Sequence, residues 1–403
     1  MNAVGIDVSK GKSMVVILRP FGEIISGPYE VHHTFDEINE VIKDIQNLDG
    51  DTKVVMEHTG RYYEPIAKRL RQSGVFVSAV NPKLVKDYDN NSLRKVKTDK
   101  ADAIKIARYT LDKWYELKQY SLMDELRAQL KTMNRQYGFY TKHKTAFKNN
   151  LISLLDLTFP GANDFFNSDV RKDGSQKWVD FVSTYWHVEV VRSMSLTSFT
   201  NHYNKWCQRN GYNFQALKAK EIYAVAKNTI AVLPKDAISK SLIKQAVEQV
   251  NNASVTAVKL RTQMNETAAK LPEYQSVLSM AGVGEVLGPQ LIAEIGDVRR
   301  FTHRSAITAF AGVDPGVNES GKHSQKSVRT TKRGSSSLRH TLFLVMRSLL
   351  LIAPENDPVY DFMMKKKAEG KDYYVYMTAG ANKFMRIYYG RLKEYYMEHP
   401  QTK

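Results

Sequence analysis

Three strand-like runs crowded into the first 31 residues, followed by strands alternating with helices, constrain this chain more than any other feature. Ala3–Val8, Ser13–Leu18 and Glu23–Val31 are apolar, β-branched runs separated by turns at Gly11 and Gly22. Ile38, Val41, Ile42 and Ile45 then recur at helical spacing and share one face. Lys53–Met56 reads as a buried strand, Pro65–Gln72 as a helix closed by Gly74, and Val75–Val80 as another strand. Asn81-Pro82 reads as a loop, and Thr98 as the N-cap of a helix reaching about Leu111. Strands in succession, then strand and helix in turn, specify a mixed sheet with helices packed on it: an α/β unit over residues 1–115.

The rest of the chain is predicted to be helical. From Leu126, apolar residues fall at spacings of four and three: Leu130, Met133, Tyr137, Tyr140, Phe147, Leu151 and Leu154, with Lys144 interrupting. A second seam holds Ile243, Val247, Val250, Ala257, Met264, Ala268 and Leu271, broken by Ser254 and Arg261. Two such seams fit the arms of an antiparallel coiled coil or the contacts of a dimer. They place a coiled-coil region at 116–271, with an aromatic-rich helical insertion near 160–235 from which no chemistry emerges. Residues 272–403 form a third, mostly helical domain.

A formal net charge of +17 on 403 residues points to a polyanionic partner, nucleic acid before anionic membrane. No run of about 18 apolar residues is available to span a bilayer, so no membrane partner is expected. No signal peptide is visible, and the single Cys207 excludes an internal disulfide framework and a multi-cysteine zinc site. The cytoplasm is the expected compartment.

Four carboxylates stand out against this basic background. Asp7 lies near the end of the first strand, in Val4-Gly-Ile-Asp7, and Glu57 ends the fourth, in Val54-Val-Met-Glu57. Asp99 and Asp102 are three apart at a helix start, which gives them a shared face and a favourable helix dipole. Singly, each is an ordinary turn or first-turn acid. Together, flanked by apolar residues at Asp7 and Glu57, they need divalent cations to offset their repulsion. Oxygen-only ligands suit Mg²⁺, with Mn²⁺ as the alternative. Two such ions about 3.5–4 Å apart stabilise the attacking and leaving oxygens of a phosphodiester. Lys97, Lys100 and Lys105 around the last pair suit phosphate.

Further along, Gly282 and Gly284 in Met280-Ala-Gly-Val-Gly284 precede a helix expected to run to Ile295, where exposed N–H groups can hold a phosphate. A basic, Ser- and Gly-rich stretch follows: Asn318-Glu-Ser320-Gly-Lys-His323, then Thr331-Lys-Arg-Gly334.

The runs Gly5-Ile-Asp7-Val-Ser-Lys10, Met56-Glu57-His-Thr-Gly60, Asn81-Pro82 and Lys97-Thr-Asp99-Lys-Ala-Asp102-Ala resemble the DEDD transposases of the IS-one-ten insertion-sequence group, which includes Piv-type DNA invertases. The resemblance covers the N-terminal domain and resumes near Leu278. It implies a RuvC-like, RNase H-like fold for the first domain and a helix-hairpin-helix-like element in the third. It also implies that Ser320 is a nucleophile forming a covalent phosphoserine link to DNA, assisted by Mg²⁺ on Asp7, Glu57, Asp99 and Asp102. A serine hydroxyl needs such activation, and no His–Asp pair adjoins it. Lys322, Lys326, Arg329, Lys332 and Arg333 would then hold the DNA backbone. Here Glu319 precedes Ser320 where the family often has a second serine, and Ser324, Ser327 and Ser335 to Ser337 stand as alternatives.

Implied partners are double-stranded DNA at element ends and target, a noncoding bridge RNA as guide, and further copies of the chain in a homodimer or homotetramer with a composite site. The implied location is the bacterial cytoplasm, at the nucleoid. Two other readings remain: a structure-specific endonuclease using metal-activated water, which needs no Ser320, and a non-enzymatic nucleic-acid-binding protein.

Overall fold

In the computed structural model the chain divides into two units, Met1–Leu122 and Met123–Lys403. The structure describes residues 1–58, 60–88, 98–120, 123–316 and 330–400, and the backbone alone of 319–320 and 323–324.

The first unit holds a five-stranded sheet in the order β3-β2-β1-β4-β5: β1 (Asn2–Val8), β2 (Lys12–Leu18), β3 (Ile24–His32), β4 (Thr52–Glu57) and β5 (Phe76–Val80). The first three strands pair antiparallel through tight turns, whereas β4 and β5 run parallel to β1. Parallel neighbours need a crossover, and α1 (Phe35–Gln46) and α2 (Tyr63–Gln72) provide them. This is the expected mixed α/β sheet. On α1 the buried residues are Ile38, Val41, Ile42 and Ile45, the face read from the spacing. They join Val4, Ile6 and Val8 of β1 and Val54 and Met56 of β4 in one core.

The other sheet face carries α4 (Asp99–Asp112), which follows α3 (Pro82–Tyr88). Asn81-Pro82 is a helix start and not the expected loop: Asn81 Oδ1 accepts from Lys83 N at 3.0 Å, and Pro82 opens a helix. Proline suits the first helical position, whose N–H would be unpaired in any case. Side chains alternate across a strand, so Gly5, Asp7, Val55 and Glu57 face α4 while Val4, Ile6 and Met56 face the opposite core.

Gly5 sets how closely α4 can approach. A Cβ there would lie 2.3 Å from the Ala103 carbonyl oxygen and 2.6 Å from Ala107 N. Gly5→Ala is therefore expected to push the helix off the sheet and cost about 1–3 kcal/mol, the usual range for overpacking. Urea denaturation reads this directly, and a loss under about 0.5 kcal/mol would show that α4 yields freely.

The second unit is helical. Its frame is α5 (Glu125–Thr158) packed on α10 (Ala237–Ala268). Leu130 shares a core with Met264 and Ala268, while Leu151 and Leu155 share another with Ile243, Val247 and Val250, so the two run antiparallel. Between them, α6 (Lys177–Thr184), α7 (Val188–Arg192), α8 (Leu196–Arg209) and α9 (Ala216–Asn228) enclose an aromatic core. There Phe181 meets Phe159, Phe165, Phe166, Tyr185, Tyr203 and Trp206. The aromatic residues of the insertion are packing material.

Downstream come α11 (Tyr274–Leu278), α12 (Leu287–Ile295) and α13 (Arg304–Ala311), a two-residue hairpin β6 (Glu319–Ser320) and β7 (His323–Ser324), then α14 (Ser336–Ile352), α15 (Pro358–Ala368) and α16 (Tyr373–Glu398). The helix expected after Gly284 is α12, which ends at Ile295, and a turn at 279–286 separates it from α11. In the tail, Tyr376, Tyr388 and Tyr396 are buried, while Tyr373 and Tyr374 are exposed.

Candidate active site

The carboxylate site is assembled by register. Ile6 pairs with Met56 across the parallel β1/β4 ladder, and the next residues along are Asp7 and Glu57. Both are half-buried at the C-terminal ends of their strands, on the face covered by α4. Thr98 Oγ1 accepts from Ala101 N at 3.2 Å and so starts α4 at the sheet edge, with Asp99 and Asp102 in its first turn.

Electrostatics separates the four acids. Burial, then the charges of Asp7 and Asp102, push the Glu57 carboxyl above its ordinary value of 4.5, and Lys105 partly counters them. The charges of Asp7, Asp102 and Lys105 thus all reach Glu57. Asp99 is exposed, and its charge acts on Lys12, which is paired with Glu30 at 2.7 Å. Lys12 escaped the sequence reading; its only signal is its place just after the Gly11 turn. Lys100 is exposed, and Lys105 Nζ also reaches the Lys86 carbonyl oxygen at 3.3 Å. Lys97 lies outside the described residues.

Among the described residues, no group of three or more His, Cys, Asp or Glu side chains is arranged to hold a metal ion. Mg²⁺ asks for less than such a cage, since one or two carboxylates with water and substrate phosphate suffice. The oxygen-only donor set and the unfavourable charging of Glu57 fit a divalent cation.

The raised Glu57 value has a definite sign. Folded protein holds this proton more tightly than unfolded chain, so the contribution is complete below 4.5 and disappears as pH rises through the raised value. In EDTA, wild type is expected to lose melting temperature relative to Glu57→Gln across that window, and Mg²⁺ to restore it. Parallel calorimetric profiles of the two proteins would contradict this.

The serine segment belongs to the second unit. It leaves after α13 and returns before α14 at a stapled root. Thr331 Oγ1 donates to Asp314 Oδ1 at 2.7 Å, Pro315 bridges Thr330, and Ser335 N donates to the Phe310 carbonyl at 2.7 Å. Gly334 is wedged against Phe310, where a Cβ would lie 2.2 Å from the carbonyl oxygen. That gives the glycine of Thr331-Lys-Arg-Gly334 a packing reason. On the hairpin, Ser320 pairs through its backbone with His323; its side chain lies outside the described residues, as do Lys322, Lys326 and Arg329. Lys332 and Arg333 are exposed.

Two alternative serines are already engaged. Ser335 caps α14, accepting from Leu338 N at 3.2 Å, and Ser337 donates to Glu294 at 3.0 Å. Glu294 is 1% exposed and also accepts from Asn134 at 2.8 Å and Arg135 at 2.7 Å. The sequence reading missed it, although a lone acid in the apolar run Leu287–Ile295 signals a buried, partnered charge. Of the two upstream glycines, Gly284 is exposed, whereas Gly282 is a buried left-handed turn against Leu349.

Comparison with known proteins bears on both units. A DEDD-type IS110 model described as a transposase matches residues 4–160, and a model described as "Transposase IS116/IS110/IS902 family" matches residues 274–360. The chain belongs to this transposase family. Relatives include the mini-circle protein for IS117 of Streptomyces coelicolor, 23% identical over 63% of this chain and 61% of its own length. The insertion element IS116 44.8 kDa protein of Streptomyces clavuligerus is 22% identical over 91% of this chain and 88% of its own length. The insertion element IS900 42 kDa protein of Mycobacterium paratuberculosis is 22% identical over 48% of each. The chain thus spans about half to three-fifths of the length of the first two relatives it matches, those of IS900 and IS117. The two transposase-family matches flank the aromatic insertion and cover the carboxylates and the serine segment. No helix among the described residues is long and apolar enough to cross a membrane.

Proposed function

We propose that this chain is an insertion-sequence transposase that cuts and rejoins DNA through a covalent serine–phosphate link. The observation that carries the proposal is the convergence of Asp7, Glu57 and Asp102, with Lys105, at the C-terminal edge of a mixed sheet. Such a sheet with acids at its parallel strand ends supports the RNase H-like reading. Asp7, Glu57, Asp99 and Asp102 would hold Mg²⁺, which lowers the charge cost of phosphodiester cleavage. Lys100 and Lys105 draw the DNA backbone to this edge, joined by Lys97.

Ser320 supplies the nucleophile. Its Oγ forms a bond to a DNA phosphorus, the P–O bond to the neighbouring nucleotide breaks, and the departing oxygen takes up a proton as the serine loses one. One phosphodiester is exchanged for another, so rejoining needs no outside energy source. Lys332 and Arg333, with Lys322, Lys326 and Arg329, would hold the flanking phosphates. Gly284 offers a backbone N–H as a further contact, and Gly282 shapes the turn. The antiparallel α5/α10 pair supports a coiled coil, and a homodimer or homotetramer follows because recombination handles two duplexes. The three-domain division at 115 and 271 and a noncoding RNA guide complete the reading.

The test is denaturing-gel analysis of protein incubated with labelled element-junction DNA, Mg²⁺ and RNA from the element's noncoding end. A protein–DNA adduct absent from Ser320→Ala supports the proposal. Cutting that persists in Ser320→Ala without an adduct in wild type would make this a water-using nuclease.

A further inference from the structure

Beside the root of the serine segment lies a cavity of about 880 Å³, within the range of ligand-binding clefts. Phe362 and Tyr374 contribute aromatic surface, and Lys332, Lys383 and Arg386 contribute three cations. None of the described residues lining it is acidic. Asn382, also in the lining, donates to the Val313 carbonyl at 3.2 Å, so the cavity is tied to the start of the serine segment. Neither Phe362 nor Tyr374 belongs to the core: Phe362 is half-buried, with Lys383 Nζ 4.8 Å from its ring centre, and Tyr374 is 72% exposed. Lys332 has φ +51°, a left-handed conformation that costs a side-chain-bearing residue energy. The turn that holds this strain puts a cation on the cavity rim.

We infer that this cavity receives an unstacked nucleotide of single-stranded DNA, its base against Phe362 and Tyr374 and its phosphates on Lys332, Lys383 and Arg386. Aromatic faces accept any base, and cations track the backbone, which is the general pattern of single-strand binding. An apolar peptide would use the aromatic wall and leave three cations without counter-charge; a nucleotide uses both. The inference rests on the DNA-rejoining reading above. Strand exchange needs bases freed from their duplex, and a seat beside the serine segment would hold one.

The experiment uses the full chain in EDTA with a single-stranded oligonucleotide carrying 2-aminopurine, read by fluorescence and anisotropy. Binding is expected to quench the probe. Tyr374→Ala is expected to abolish quenching and weaken binding about five- to a hundredfold, the usual loss of one stacked base. Arg386→Gln is expected to reduce the salt dependence by about 0.7 in logarithmic slope, one phosphate's share. Both residues are exposed, and unchanged melting temperatures confirm that the variants fold.

Unaltered quenching and affinity in Tyr374→Ala would overturn the inference. So would an equal loss on duplex DNA, a loss confined to an RNA strand of the same sequence, or self-association of wild type that Tyr374→Ala removes. No cutting occurs in EDTA, so failure here is distinguishable from failure to form the serine adduct.

Discussion

Asp7→Asn and Glu57→Gln are each expected to slow strand cleavage by at least about a thousandfold while leaving the protein folded. Neutralising developing charge on a phosphodiester is worth several kcal/mol, and each 1.4 kcal/mol is about a factor of ten in rate. Neither substitution changes side-chain volume appreciably, and Glu57 is already penalised for carrying charge, so stability in EDTA should be kept or improved for Glu57→Gln. Quantified cleavage on denaturing gels, with melting temperatures of the same samples, checks both halves of this expectation. Ser320→Ala should behave differently: it removes the covalent adduct at any metal concentration. The diagnostic outcome is the pattern across variants. A carboxylate variant that still accumulates adduct at the wild-type rate would detach these acids from the chemistry.

How much of this was legible depended on whether a residue's role is local. The α1 face of Ile38, Val41, Ile42 and Ile45 was readable because helix period alone determines it. Asp7 and Glu57 were readable as neighbours because both end apolar strands that a βαβ connection makes parallel. The spacing of Asp99 and Asp102 put them on one face of α4, but the sequence held no sign that Lys12 would lie within reach of Asp99's charge. That proximity arises from the β1–β2 turn meeting a helix almost 90 residues later.

The interruptions in the α5/α10 seam were visible but unexplained. Ser254 is buried where Gly174 presses against its backbone and that of Val255, an approach close enough to exclude a Cβ at position 174. Arg261 lies over the Tyr137 ring and donates to the Val286 carbonyl at 2.6 Å. Both depend on segments remote in sequence. Asn81-Pro82 shows the opposite failure, a local signal with two meanings, since the same dipeptide marks loops and opens helices.

The largest stability loss is expected at Glu273, which no motif marks. Its side chain is 2% exposed and faces the Arg127 guanidinium, 6% exposed, in a direct ion pair. Arg127 also donates to Tyr396 OH at 3.0 Å and to Asp124 at 2.6 Å, and Tyr396 OH donates to the second Glu273 oxygen at 2.8 Å. Burial works against the Arg127 charge, and Glu273 and Asp124 more than offset it, holding the guanidinium above its ordinary range. Burial, with Glu273 beside it, likewise raises the Tyr396 hydroxyl. The group joins the start of α5, the residue before α11 and the last turns of α16, so its loss acts on three segments at once.

Glu273→Gln removes the buried counter-charge and leaves Arg127 only the exposed Asp124, and is expected to cost about 3–5 kcal/mol in urea denaturation. Arg127→Met alone should cost a similar amount by stranding the carboxylate. The double variant Arg127→Met, Glu273→Leu is expected to recover most of either loss, because an apolar pair no longer needs the desolvated charges to compensate each other. Additive losses in the double variant would mean that packing volume, and not charge pairing, holds these helices together. A loss below about 1 kcal/mol in Glu273→Gln would mean that water reaches the pair and screens it.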